Sequence, residues 1–364
     1  MNVCLKEHSE NIVKVLDTAD SSSLLFIGQK GSATYLDSQL CTESTFQWDL
    51  CSDVQRRLGA CRKRRQNSCS VTDAVYLGVS GHYCLSTTNR ALHFMRASPG
   101  AQWETFRLAE LPTVPTCLAS SFHSMNKDKN CQLFIGDHKG NIHILTFFYS
   151  STMLFSRKYS LKTQIIRFID LNLHESYVKW KTIAKVHSDL VNKLEYISPR
   201  NLLFSSSCLD VQKNLVSQDL HVSRMNIFHH PQGITCFDTS HQLDKIVSGS
   251  KDFLIRIWEI GCCSKAITML FGHKAVIADV RFHSQGTVVS VCKEGEVRIW
   301  SLDSCECLQR FLVRLPTITF PCTFGNSTLH VVPHNDKRIL ITLKKVSMDL
   351  NTEECSKNED AVIK

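Results

Sequence analysis

Residues 245–260, KIVSGSKDFLIRIWEI, set two apolar runs on either side of a Lys-Asp turn and close the second run on Trp-Glu. The stretch decides the fold because it recurs. Residues 287–302, TVVSVCKEGEVRIWSL, repeat the order of apolar run, Lys-acid turn, apolar run and Ile-Trp, and Lys293 follows Lys251 by 42 residues. That spacing matches a unit of four short strands, for which a period of about 40 to 45 residues is expected. Both second runs, LIRIWEI and EVRIWSL, show the period-two alternation of strands, and long amphipathic helical patterns are scarce.

The same grammar occurs upstream in LLFIGQKGSATYLD, YCLSTTNRALHFM and LFIGDHKGNIHIL, with turns near Lys30, Asn89 and Lys139. A stretched copy, NLLFSSSCLDVQKNLVSQDL, and a last one, RILITLKKVSMDL with its turn near Lys344, bring the count to seven. Unequal gaps between copies read as long loops. The prolines fall between or at the edges of the proposed strands, as a residue without an N–H requires. One helix is expected, over LKTQIIRFIDL, in a long insertion near residues 149–177.

The second full copy, GHKAVIADVRFHSQGTVVSVCKEGEVRIWS, resembles the WD40-repeat family, whose fold is a β-propeller and whose usual role is to scaffold protein complexes. In that family a loop His, a strand Ser or Thr, a turn Asp and a third-strand Trp form one hydrogen-bonded network. The resemblance places it on His273, Ser290, Glu294 and Trp300, with Glu in place of Asp. The preceding copy supplies Ser248, Asp252 and Trp258 but no Gly-His, and the fourth supplies only His187. The likeness is concentrated over residues 230–312. The segment around GITCFD and IVSGSKDFLIRIW also looks like the long WD-repeat proteins that are related to EF-hand proteins of cilia and sperm flagella, although no calcium-binding loop occurs.

The expected architecture is an all-β, WD40-type propeller of seven blades, closed by an N-terminal strand. Its blades cover roughly 7–50, 70–108, 114–186, 187–229, 232–271, 273–313 and 317–350, the last completed by residues 2–6. Residues 351–364 are expected to be a polar tail.

The chain of 364 residues is 43% hydrophobic and 21% charged, enough apolar side chains for a large core. No apolar run reaches the roughly 18 residues of a membrane span, and the charged N-terminus lacks a secretory signal. A cytoplasmic location is expected, with cilium, flagellum and nucleus as alternatives. Seventeen cysteines without an export signal read as reduced thiols, and none falls in a standard zinc-ligand spacing. The histidines His221, His229, His230 and His241 likewise match no metal pattern. No nucleotide-binding, hydrolase or metalloprotease motif is present, so a non-enzymatic protein without cofactors is expected.

Formal net charge is +8. In an antiparallel four-stranded blade the turn between strands two and three shares a face with the link to the next blade. That face would collect Lys30, Arg90, Lys139, Lys251, Lys293 and Lys344, joined by Arg62, Lys63, Arg64 and Arg65 from the first link. Such a rim suits protein or peptide partners with acidic surfaces, although lysines at exposed turns are also ordinary solvated residues. The Arg62–Arg65 cluster lacks interleaved aromatics for stacking, which argues against nucleic acid. The function expected is a non-catalytic scaffold, in a ciliary or cytoskeletal assembly. The alternatives are a ubiquitin-ligase substrate adaptor, for which W-D-x-[RK] is missing, and an RNA- or chromatin-associated propeller using Arg62–Arg65. Oligomeric state is not legible.

Overall fold

In the computed structural model the described residues run from Leu5 to Ile363. The stretches 1–4, 9–11, 18–22, 37–41, 51–68, 97–103, 122–130, 149–163, 211–213, 263–264, 314–326, 336–337 and 346–359, with a few single positions, lie outside them. Nearly all the described secondary structure is sheet. The chain divides into two compact units, Val13–Pro199 and Arg200–Lys364 with Met1–Ile12.

Strand β1 (Leu5–His8) opens the chain. The first blade is the sheet β2 (Ile12–Asp17), β3 (Leu24–Gly28), β4 (Ser32–Leu36) and β5 (Thr42–Gln47). The second holds β6 (Val71–Leu77), β7 (His82–Thr87), β8 (Ala91–Arg96) and β9 (Glu104–Ala109). The third is made of β10 (Pro115–Ser120), β11 (Cys131–Asp137), β12 (Ile142–Phe147) and β14 (Val178–Ile183). Between β12 and β14 the chain forms β13 (Gln164–Arg167) and a 3-10 helix, Phe168–His174. Strand β13 joins the second blade instead, pairing in parallel with β9 as its fifth strand. The expected helix over LKTQIIRFIDL is therefore corrected: QIIR is extended because Ile166 plugs the core shared by the second and third blades, where it is buried beside Leu108 and Phe147.

The fourth blade is the sheet β15 (Lys193–Ile197), β16 (Leu202–Ser206), β17 (Leu215–Asp219) and β18 (Met225–Phe228). The fifth comprises β19 (Ile234–Ser240), β20 (Lys245–Ser250), β21 (Ile255–Glu259) and β22 (Thr268–Leu270), and the sixth β23 (Ile277–Ser284), β24 (Thr287–Cys292), β25 (Glu296–Ser301) and β26 (Cys307–Leu312). These six sheets are each built of strands close in sequence, and they are the blades.

The expectation of seven blades closed by an N-terminal strand is corrected to six. A remaining sheet, β27 (Ser327–Asn335), β28 (Arg338–Lys345), β29 (Asp360–Ile363) and β1, is assembled from both chain ends in the order β1-β29-β28-β27. Its third strand is not the expected VSMDL. It comes from the segment read as a polar tail, where Val362 and Ile363 supply β-branched, strand-forming residues. Residue Leu5 of β1 pairs with Ile363. Lys344 is inside β28, opposite Thr328, rather than in a turn. Pro333 lies within β27 at a register shift, where a missing N–H is tolerated.

Sequence alternation also gives way to packing. In β21 Ile255, Arg256, Ile257 and Trp258 are all buried, and β7 is buried along its whole length. A strand covered on both faces loses the period-two pattern. Three aromatic rings knit the second and third blades, with Phe94 stacked on Phe106 at 4.0 Å between centroids and Phe147 edge-on at 5.7 Å.

The turn between strands two and three puts one residue in the left-handed region in each of five blades: Gly31, Arg90, Gly140, Phe253 and Gly295. At Gly140 a Cβ would stand 2.1 Å from the His187 carbonyl oxygen. Gly140→Ala is therefore expected to destabilise by about 2–4 kcal/mol in urea unfolding, combining left-handed strain with a backbone clash. Gly81→Ala is the control. Gly81 also has positive φ but nothing within 4 Å of its Cβ position, so only about 1 kcal/mol is expected.

Candidate functional site

The sixth blade carries the polar network most fully. His273 lies in the loop before β23, and its Nε2 is 2.7 Å from Ser290 Oγ on β24. The Trp300 indole Nε1 donates to the same oxygen at 2.8 Å from β25. One hydroxyl thus ties a loop to two strands. Gly272 before it has φ +145, and a Cβ there would meet Arg298 Nη1 at 2.2 Å, so a Gly-His pair is the pattern the loop can accept. Arg298 Nη2 also donates to the Gly272 carbonyl.

The acidic member is not Glu294. That side chain is exposed at the apex of the turn. Glu296, the first residue of β25, takes its place: Oε2 is 3.1 Å from His273 Nδ1, while Oε1 accepts from Arg298 at 3.1 Å and Arg310 at 3.0 Å. The reason is geometric, since residues two apart on a strand share a face and Glu296 therefore sits beside Arg298. Burial pulls the His273 pKa down to about 4, against the attraction of Glu296.

The fifth blade repeats the network with a histidine that sequence reading passed over. His230 Nε2 is 2.8 Å from Ser248 Oγ, and Trp258 Nε1 donates to that oxygen at 2.8 Å. The His230 Nδ1 reaches the Phe228 carbonyl at 3.2 Å. No Gly-His precedes β19, but His230 is 18 residues from Ser248 as His273 is 17 from Ser290, and that spacing was the available signal. Burial lowers the His230 pKa to about 4. Here the turn acid does lie at the apex: Asp252 accepts from Arg256 through both guanidinium Nη atoms, at 3.1 and 2.6 Å.

The degenerate blades keep the positions and change the residues. His93 faces Leu85 and His143 faces Ile135, the register occupied by Arg256 opposite Ser248 and Arg298 opposite Ser290. His93 Nδ1 contacts Glu104 at 2.6 Å, and Arg107 donates twice to that carboxylate. His143 bridges Asp137 at 3.1 Å and Thr182 at 2.9 Å, with Trp180 Nε1 donating to Thr182. Despite burial, its hydrogen bonds, His143 foremost, hold Asp137 well below the usual carboxylate range. His187 is buried in the loop after β14, with its backbone N–H donating to Gly140. His221, His229 and His241 are exposed and His230 is consumed by its network, so the four do not gather.

Of the expected basic rim, Lys30, Arg90 and Lys139 are exposed at turns of the Val13–Pro199 unit. In the other unit Lys251 is exposed and Lys293 half-buried, and both are close enough to Cys208 to act on its thiol, whose pKa burial raises to about 11. Lys251 Nζ donates to the Cys208 carbonyl at 3.1 Å, which draws the β16–β17 and β20–β21 turns together. Beside them stand exposed Phe253 and Leu209. Phe253 holds φ +70, unusual for a bulky residue. Residues Arg62, Lys63, Arg64 and Arg65 lie outside the described residues.

Comparison with known proteins gives the same outline. A family model described as "WD domain, G-beta repeat" matches residues 222–259 and 264–301, each of which takes in the last strand of one blade and the first three strands of the next, β18 to β21 and β22 to β25. Among curated relatives, "WD repeat-containing protein on Y chromosome" is 24% identical over 57% of this chain in Drosophila grimshawi and 26% identical over 55% in Drosophila mojavensis. This chain spans only 18% and 17% of those proteins. "Transcription initiation factor TFIID subunit 5" of Caenorhabditis elegans is 26% identical over 45% of this chain and 24% of its own length. Of solved structures, "Crystal structure of RRP9 WD40 repeats" superposes with TM-score 0.62 at 13% identity, over 99% of this chain and 96% of that one. "Structure of U3-55K" does so with the same score and identity. The fold is an all-β WD40 β-propeller. Among the described residues no helix is long and apolar enough to cross a membrane.

Proposed function

We propose that the protein is a non-catalytic scaffold that binds an acidic protein segment on the turn face of its fourth, fifth and sixth blades. The observation that carries this reading is that Lys251 reaches the Cys208 carbonyl and, with Lys293, acts on the Cys208 thiol, while Leu209 and Phe253, close to them in the chain, are exposed. Two ammonium groups flanking exposed apolar side chains suit a peptide that offers a carboxylate next to a hydrophobic residue. The polar networks below supply rigidity: His230, Ser248 and Trp258, like His273, Ser290 and Trp300, hold a loop to two strands.

The titration that tests it uses labelled peptides rich in Glu with a single Leu or Phe, against a Lys-rich peptide of the same length. Lys251→Glu with Lys293→Glu is expected to weaken acidic-peptide binding at least tenfold while lowering the unfolding midpoint by no more than a few degrees, because both side chains are at turns and the exposed Lys251 hydrogen bond to Cys208 is lost. Undiminished binding by the double variant would remove this reading and leave the fold intact.

A second setting is favoured by one match, the transcription initiation factor subunit of Caenorhabditis elegans. In that setting the protein is nuclear and its acidic partner belongs to a chromatin- or RNA-associated assembly. Labelled RNA tested in the same titration separates a direct polyanion contact, which would weaken steeply with salt, from peptide recognition. The ciliary and ligase-adaptor settings draw no support from these matches.

A further inference from the structure

One group of buried side chains in the sixth blade exceeds what the WD40 network requires. His273, Cys292 and Glu296 place their ligand atoms within 4.8 Å of one another. His273 and Cys292 are 7% and 1% exposed. The fifth blade has no counterpart, since the register puts Ser250 where Cys292 stands, opposite Ile234 as Cys292 is opposite Ile277, and Leu254 where Glu296 stands.

We propose that His273, Cys292 and Glu296 form a binding site for a thiophilic divalent cation of the Zn2+ type, with water completing its coordination. The donor set is nitrogen, sulfur and carboxylate oxygen, the three that zinc accepts. Tetrahedral coordination at the usual bond lengths sets donors about 3.5 Å apart, so side-chain rotations of modest size close the present spacing.

Burial raises the Cys292 thiol, opposed in part by the backbone N–H groups of Glu294 and Glu296 at its sulfur. His273 keeps Ser290 on Nε2 and turns Nδ1 toward Glu296. A ligating imidazole is normally oriented in this way, by a hydrogen bond on its far nitrogen. Arg298 and Arg310 occupy Oε1 of Glu296 and leave Oε2 toward His273. These guanidinium groups repel a cation, so binding depends on ionisation of Cys292. Its proton leaves to solvent as the sulfur–metal bond forms, and thiolate with carboxylate then offsets the two arginines. A bound cation would clamp the His273 loop to the β24–β25 turn, next to Lys293.

The test uses the full chain, reduced and freed of metal, titrated with Co2+ and then Zn2+. One equivalent of Co2+ is expected to produce a thiolate-to-cobalt charge-transfer band that Zn2+ displaces, and Zn2+ is expected to raise the unfolding midpoint by several degrees. Cys292→Ser should abolish the band; serine at the matching position of the fifth blade shows that the fold accepts it. Glu296→Gln should retain the band and weaken Zn2+ affinity at least tenfold. No band at one equivalent, or an undiminished band in Cys292→Ser with the metal on thiols such as Cys305 and Cys307, would overturn the proposal. So would unchanged affinity in Glu296→Gln.

Discussion

Trp300→Ala is expected to destabilise the Arg200–Lys364 unit by roughly 4 kcal/mol, near the upper end for aromatic truncation in a core. The indole is 1% exposed and sits among Val247, Ile277, Val280 and Val288, so its removal opens a cavity that β-branched neighbours cannot fill by rotation. Two further losses add to the cavity. Ser290 loses its donor, and the His273 loop loses the wall against which its ring is placed, 6.0 Å between centroids. Trp300→Phe separates the contributions. It restores most of the volume and leaves the Ser290 oxygen one hydrogen bond short, which should cost about 1–2 kcal/mol. Urea unfolding of both variants checks this, and a Trp300→Ala loss below about 1 kcal/mol would mean that the indole is not part of a packed blade.

What was readable in the sequence follows from where packing and backbone chemistry act through nearby residues. The duplicated hairpin was legible because turn, strand and Trp fall within sixteen residues. The acid in the sixth blade was misplaced because two glutamates flank Gly295, and only the strand register decides which one faces Arg298. His230 escaped because His229, and not a glycine, precedes it, so the Gly-His pattern is missing. The histidines of the second and third blades were invisible to a search for the motif, since His93 and His143 occupy the position of an arginine. In the terminal sheet β29 was illegible for a different reason: it pairs with a strand more than 350 residues away, Leu5 with Ile363, and no local pattern reports such a contact. Strand β13 was mistaken for helix because Ile165 and Ile166 are compatible with either, and the core that accepts Ile166 belongs to a neighbouring blade.

Acidification should weaken the protein between pH 6.5 and 4, a window whose upper part lies above the range in which ordinary carboxylates titrate. His230 and His82 each have a pKa lowered to about 4 from 6.5, in both cases chiefly by burial. Above pH 6.5 both folded and unfolded chains hold these rings neutral, and the stability is complete. Below it the unfolded chain binds protons that the native rings refuse, so stability falls as pH falls, until the native rings themselves protonate near pH 4. At pH 5 the loss is about 2 kcal/mol for each histidine. Around His230 the charged neighbours are Arg256 and His229, which resist its protonation, and Asp252, which favours it; the balance stays with burial. His82 answers to Arg96 and to its hydrogen bond with the Ser80 carbonyl, in the other unit. His230→Asn keeps a polar group near Ser248 and removes the titration. Its stability at pH 7 is expected to be lower than that of the parent, and its decline from pH 6.5 to 5 shallower by about 2 kcal/mol, when urea midpoints are compared at each pH. Parallel pH profiles for parent and variant would show that the native ring accepts its proton at the ordinary pKa, and that the His230–Ser248–Trp258 network does not hold it neutral.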